Sequence, residues 1–203
     1  MEKFDFKKTL KEFYDPSPKQ VSEANLPAIN YLMVDGVGNP NTSKEFMDAT
    51  EALYSMAYTL KFMCKKPPIS KDFVVMPLEG LWWMENMTEF TLENKDQWQW
   101  TLMIMQPDFV TTELIAEARD QVKAKKAPVA LQKLRFEKYS EGRCAQIIYV
   151  GPYSDEHPTI QLIHDFIKEK GGKLQGKHHE IYLSDPRKTA PEKLKTVLRQ
   201  PFA

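Results

Sequence analysis

Cysteine is almost missing from this chain: Cys64 and Cys144 are the only two in 203 residues, and their separation fits neither metal-binding nor disulfide-framework spacing. Two reduced thiols in a cytoplasmic protein are expected. Charge of one sign is missing too, since Lys plus Arg and Asp plus Glu each number 28 and cancel. A neutral chain lacks the basic excess that grips a phosphate backbone, so nucleic acid is not an expected partner. No apolar run approaches the roughly 18–20 residues of a membrane span, which removes the bilayer as a partner. The first residues, MEKFDFKKTLKEFYDPSPKQ, mix charges throughout and have no apolar region of the signal-peptide kind. A Gly-rich phosphate loop, a serine elbow and a Cys/His pairing are also absent. What remains is a globular balance, 42% hydrophobic and 28% charged, long enough to bury a core without disulfide or metal support.

What is there comes twice. YLMVDGVGNPNTSKEF from Tyr31 and AQIIYVGPYSDEHPTI from Ala145 each read as an apolar strand, a Gly/Pro turn, a polar cap and a helix. In the first copy Thr42 and Glu45 have capping-box spacing. Phe46, Ala49, Leu53, Met56, Ala57, Leu60 and Met63 then recur at three- and four-residue steps, which predicts a helix to about Lys65. In the second copy Ser154 is the candidate cap, Ile160, Ile163 and Ile167 carry the stripe, and Gly171-Gly172 stops it. Each helix leads to a strand with a central glutamate, VVMPLEGLWW around Glu79 and HHEIYLSD around Glu180. Closing strands follow, WQWTLMIMQPDF and LKTVLRQPF. The span from Gly38 to Glu79 exceeds that from Gly151 to Glu180, so the two helices must differ in length.

The fold class expected is therefore α+β, with two pseudo-symmetric strand–helix–strand–strand modules and a ligand groove between them. Module one covers about 27–107 and module two about 130–202. A linker helix over about 111–126 opens at Thr111-Thr112, with Leu114, Ala118 and Val122 on one face.

Strand alternation assigns the side chains to faces. Glu180 points with His178 and Tyr182, while Glu79 points with Leu81 and Trp83 and away from Trp82; Trp98 and Trp100 share a face. If the modules face each other, Glu79 and Glu180 converge on a cleft walled by indole and phenol rings. Such walls stack flat ligands and attract cations, at about 0.5–2 kcal/mol per contact. Desolvation is expected to raise the carboxylates' pKa and so their basicity. His178-His179-Glu180 is no metal cluster, because alternation splits the two histidines, leaving at most His178 and Glu180 to share an ion. No metal or organic cofactor is expected.

PLEGLWW, YVGPYSD and HEIYLSDPRKTAPEKLKTVLRQPF, taken together, resemble the GyrI-like small-molecule-binding family over roughly residues 20–203. The resemblance implies a duplicated strand–helix–strand–strand fold that binds planar aromatic, often cationic, small molecules, with Glu180 as the ligand carboxylate. In drug-sensing regulators of this family a DNA-binding head precedes the domain; the residues ahead of the first strand here are too few for one, which implies a stand-alone version. Stand-alone members with the L-E-G-L-W-W phrase are similar to hydrolases that open the cyclopropane of DNA-alkylating antibiotics. The roles this implies are Glu180 as base and Tyr149 or Tyr182 as donor to the dienone carbonyl, with Tyr153 near the same edge. Trp82, Trp83, Trp98 and Trp100 become stacking walls, and Glu79 a second ligand carboxylate. The alternative is a non-catalytic binder that sequesters planar aromatic or cationic compounds. A third reading, an inhibitor that docks on a DNA enzyme, needs an exposed acidic surface to which the neutral composition gives little support.

Overall fold

The computed structural model describes residues 3–85 and 92–203 of the chain. In chain order these form β1 (Lys3–Phe4), α1 (Phe6–Thr9), α2 (Lys11–Tyr14), β2 (Ser22–Leu26) and β3 (Ile29–Val37). Then come α3 (Lys44–Cys64), β4 (Asp72–Phe73), β5 (Glu79–Trp83) and β6 (Gln99–Gln106). The remainder is α4 (Thr112–Lys125), β7 (Arg135–Tyr139), β8 (Gly142–Val150), α5 (His157–Glu169), β9 (His178–Tyr182) and β10 (Lys195–Pro201). The fold is α+β. No helix among the described residues is long and apolar enough to cross a membrane.

Two compact units share the chain. The first holds residues 1–6, 29–78 and 82–139; the second holds 7–28, 79–81 and 140–203. The helix expected as a linker, α4, belongs to the first unit. Each unit also gains an edge strand that the repeat does not reveal. In the first unit β3 pairs antiparallel with β6, from Asn30↔Gln106 to Val37↔Gln99, and on its other side with β7, from Ile29↔Tyr139 to Met33↔Arg135. In the second, β10 lies between β8 and β9, and β2 adds to β8 through Ser22↔Gln146 to Leu26↔Gly142. Residues 79–81 of β5 continue that sheet beyond β9.

The helices form where their patterns place them, with corrections at the caps. At α3 the cap is Ser43, whose Oγ accepts from Phe46 N at 3.3 Å, and not Thr42. Thr42 sits instead in a turn, its N–H bonded to Asn39 O, and Glu45 reaches out to Lys133 rather than back to a cap. Ala49, Ala52, Leu53, Met56, Ala57, Leu60 and Cys64 are buried along α3, so Cys64, rather than Met63, ends the apolar stripe. Thr111 caps α4 as expected, but Ile115 takes the buried place expected for Leu114. At α5 the Ser154 hydroxyl donates to Asp155, and the helix starts at His157 without a side-chain cap. Gly171 ends it at φ +73°, a conformation open to glycine at little cost. With 21 residues against 13, α3 is the longer helix.

Ile163 and Ile167 of α5 pack on Ala145 and Ile147 of β8, Leu198 of β10 and Phe202. Each isoleucine, leucine or phenylalanine side chain among them contributes about 1.5–3 kcal/mol by leaving water. In the first unit Gly36 stands opposite Trp100 in the β3–β6 ladder, and the indole lies on its bare Cα. A Cβ there would come within 2.1 Å of the ring. Gly36→Ala is therefore expected to cost about 1–3 kcal/mol in urea unfolding, and an unchanged midpoint would show that the ring yields freely.

Candidate functional site

Residues paired across an antiparallel ladder point to the same face. Tyr149, Thr196 and Tyr182 lie in register across β8, β10 and β9, and so do Ile147, Leu198 and Glu180. Because Ile147 and Leu198 pack under α5, Glu180 lies on the α5 face of the sheet. It is 8% exposed. The Tyr182 hydroxyl donates to its Oε2 at 2.7 Å, and His178 Nε2 stands 3.4 Å from its Oε1. Tyr153 meets Tyr182 edge-on, with ring centres 5.6 Å apart. Tyr149 donates to Pro152 O at 3.0 Å, and the buried Thr196 hydroxyl between Tyr149 and Tyr182 has no hydrogen-bond partner among the described residues.

The electrostatics correct one expectation. Burial alone would push the Glu180 carboxyl up, but His178 and the Tyr182 hydroxyl act against it, and the group lies below the ordinary range. Glu180 is thus an anion at neutral pH, a good cation partner and a modest base. Tyr153 moves the other way: burial first, then the charges of Glu180, Glu156 and Asp185, push its phenol up to about 12. Burial, followed by Asp155 and Glu156, raises Tyr149 as well.

The opposite face of the same sheet carries the second glutamate. Glu79 is fully buried; Tyr14 donates to its Oε1 at 2.8 Å and His179 Nε2 lies 3.0 Å from its Oε2. His179 Nδ1 is 2.8 Å from Glu141 Oε1, and Arg199 Nη1 donates to Glu141 Oε2 at 3.0 Å. Arg199 further donates to Gln146 Oε1 and Phe13 O, and Gln146 to Glu12 O. A neutral imidazole donates from one nitrogen only. With a carboxylate at each nitrogen, His179 must be an imidazolium. Since His179 and Glu180 alternate along β9, Glu79 and Glu180 lie on opposite faces and do not converge on one cleft as expected. The reason is that Glu79 follows His179, its charge partner. Tyr14, Glu141 and Arg199 carry no local motif, and sequence reading passes over them.

In the first unit Trp82 stacks on Phe46 at 6.0 Å and meets Trp98 edge-on at 5.7 Å, while Trp100 meets Phe46 edge-on at 5.4 Å. These indoles wall one another. Trp83, on the other face of β5, is half-buried and the most exposed of the four tryptophans. Among the described residues no group of three His, Cys, Asp or Glu gathers within metal-binding reach.

Comparison with known proteins adds to this geometry. The model of the GyrI-like small molecule binding domain matches residues 19–202. The chain belongs to the GyrI-like family. Among solved structures, this GyrI-like chain is similar to a conserved protein from Listeria innocua, with 43% identity, 98% of this chain and 100% of that one covered, and a TM-score of 0.91. Two more are described as hydrolases from Listeria innocua. One is 41% identical with both chains fully covered and a TM-score of 0.90. The other is 40% identical, with 98% of this chain and 100% of that one covered and a TM-score of 0.87. No curated protein matches. The GyrI-like assignment makes small-molecule binding the function of the fold, and it leaves to the site residues the question of chemistry.

Proposed function

We propose that this protein binds a planar aromatic small molecule at the Glu180 face of the second unit and hydrolyses a cyclopropane ring conjugated to a dienone. The observation that carries the proposal is a buried carboxylate hydrogen-bonded to Tyr182, beside Tyr153 and a Thr196 hydroxyl that has no hydrogen-bond partner among the described residues. The full-length relatives described as hydrolases support it. In the proposed step a water oxygen attacks the ring methylene while Glu180 takes the water proton. The carbon–carbon bond breaks, its electron pair runs through the dienone, and the carbonyl oxygen becomes a phenolate. The proton then passes to that oxygen, so the net change is addition of one water. Of the donors expected, Tyr182 is committed to Glu180 and Tyr149 to Pro152 O. Tyr153, with no hydrogen bond from its hydroxyl among the described residues, takes the donor role.

A second reading, sequestration without turnover, draws support from the lowered Glu180 pKa, which suits a cation partner better than a base. Both readings require the carboxylate charge. Ethidium, a planar cation, should bind the protein, and Glu180→Gln should weaken it by about 1–3 kcal/mol. Titration by fluorescence anisotropy measures this; equal loss for a neutral dye of similar shape would mean damage to the site rather than loss of a charge.

A further inference from the structure

Thr196 stands on β10 between two tyrosines. It pairs with Tyr149 of β8 on one side and Tyr182 of β9 on the other. The next pair on the same face, Leu198 with Glu180, sets the carboxylate one step along and one strand across. Diagonal neighbours of this kind lie about 7–8 Å apart, near enough for one bound molecule to touch both. Thr196 is 0% exposed, and its hydroxyl has no hydrogen-bond partner among the described residues. Leaving a buried hydroxyl unpaired costs stability, and most buried polar groups are paired. Valine has nearly the same shape and would avoid that cost, so a hydroxyl at this place points to a use outside the protein's own bonding.

The first unit supplies the contrast. There the pair beside Val34↔Leu102 is Gly36↔Trp100, just as Tyr149↔Thr196 lies beside Ile147↔Leu198 in the second unit. Gly38 and Gly151 follow the two strands at the same offset. The place of Thr196 is therefore taken in the first unit by a fully buried indole, which lies on Gly36 and meets Phe46 of α3. One copy of the repeat fills this place with a ring, and the other keeps a small hydroxyl beside a carboxylate.

We infer that the Thr196 hydroxyl is the second hold on the water that Glu180 deprotonates. This rests on the reading of Glu180 as the base of a ring-opening hydrolase. Water brings two hydrogens to that step. One passes to Glu180 as the oxygen attacks the ring methylene. The other stays on the oxygen, which ends as the hydroxyl of the ring-opened product. Thr196 Oγ accepts the hydrogen that stays, and the water then has a lone pair directed at the methylene. The neighbouring hydroxyls are engaged elsewhere, Tyr182 donating to Glu180 Oε2 and Tyr149 to Pro152 O. Held at two points, the water meets the methylene in one orientation, and orientation of this kind governs the rate of the chemical step rather than the strength of stacking.

The experiment compares wild type, Thr196→Val and Thr196→Ser in steady-state hydrolysis of a cyclopropyl-dienone, with urea unfolding of each. Thr196→Val is expected to lower kcat by about 10–100-fold with KM within about twofold, since the water is misplaced and the stacking contacts are kept. Its urea midpoint should lie at or above that of wild type, because the unpaired hydroxyl is gone and the shape remains. Thr196→Ser keeps the oxygen and should recover kcat to within a few-fold of wild type. Wild-type kcat in Thr196→Val would overturn the inference alone and leave Glu180 as the base. Losses of kcat and midpoint that run in parallel in both variants would also overturn it, and would assign Thr196 to packing. If Thr196→Val folds poorly, Thr196→Ala against Thr196→Ser repeats the comparison, since both lack the methyl group and only one keeps the oxygen; equal kcat in the two would overturn the inference. Wild type that forms no product beyond one equivalent would overturn the hydrolase reading and this role with it.

Discussion

Glutamine in place of Glu141 will lower the unfolding free energy by about 3–5 kcal/mol, the cost of removing one partner from a buried charge network. Glu141 is 2% exposed at its side chain and bonds both His179 and Arg199, which are themselves 0% and 1% exposed. The variant keeps the shape but leaves an imidazolium and a guanidinium with Glu79 as their remaining anion. The network also holds the segment around α2, through Tyr14 to Glu79, Arg199 to Phe13 O and Gln146 to Glu12 O. Urea unfolding at neutral pH reads the loss directly; a midpoint within error of wild type would show that the network contributes nothing net.

The same network sets the pH response. Burial would push Glu141 up, but His179 and Arg199 pull it down from 4.5 to about 2. A carboxyl held below its ordinary value contributes stability above 4.5 and loses it as the pH falls toward 2, here about 3 kcal/mol. For His179 burial works downward, but Glu141 and Glu79 outweigh it and raise the ring above its ordinary value. Its contribution is full below the usual histidine range and disappears as the pH rises through the raised value. Wild type should therefore weaken on both flanks. Glu141→Gln should be flatter on the acid flank and begin its alkaline loss at lower pH.

The sequence carried the repeated strand–helix–strand–strand order because each helix keeps an apolar stripe at helical spacing and each central strand has a glutamate within an apolar run. It also carried the alternation that separates His178 from His179. It did not carry β2 or β7: SEANL and RFEKY are edge strands whose exposed, charged residues lack an apolar period. The cap of α3 was misplaced by one residue, since Thr42 and Ser43 are chemically equivalent and the turn at Asn39 decides between them. Glu79 was misread for a different reason. A buried carboxylate looks the same in sequence whether it awaits a ligand or a histidine 100 positions away, and only tertiary structure tells the two apart.

At Glu180 the larger effect is kinetic. Glu180→Gln is expected to slow ring opening by about 10²–10⁴-fold, the usual cost of losing a general base. The amide keeps the size of the side chain and can still hydrogen-bond Tyr182, so a neutral cyclopropyl-dienone should still bind. The loss should therefore appear in turnover rather than in affinity, which separates a base from a binding contact. Equal losses in both would assign Glu180 to binding alone.

Mass spectrometry of a cyclopropyl-dienone mixed with the protein at roughly a hundredfold excess of compound decides between enzyme and sponge, because only turnover can exceed one product per site. The hydrolase account predicts water-added product accumulating well past one equivalent with wild type and nearly none with Glu180→Gln. Product that stops at one equivalent, or a Glu180→Gln rate equal to wild type, would contradict it.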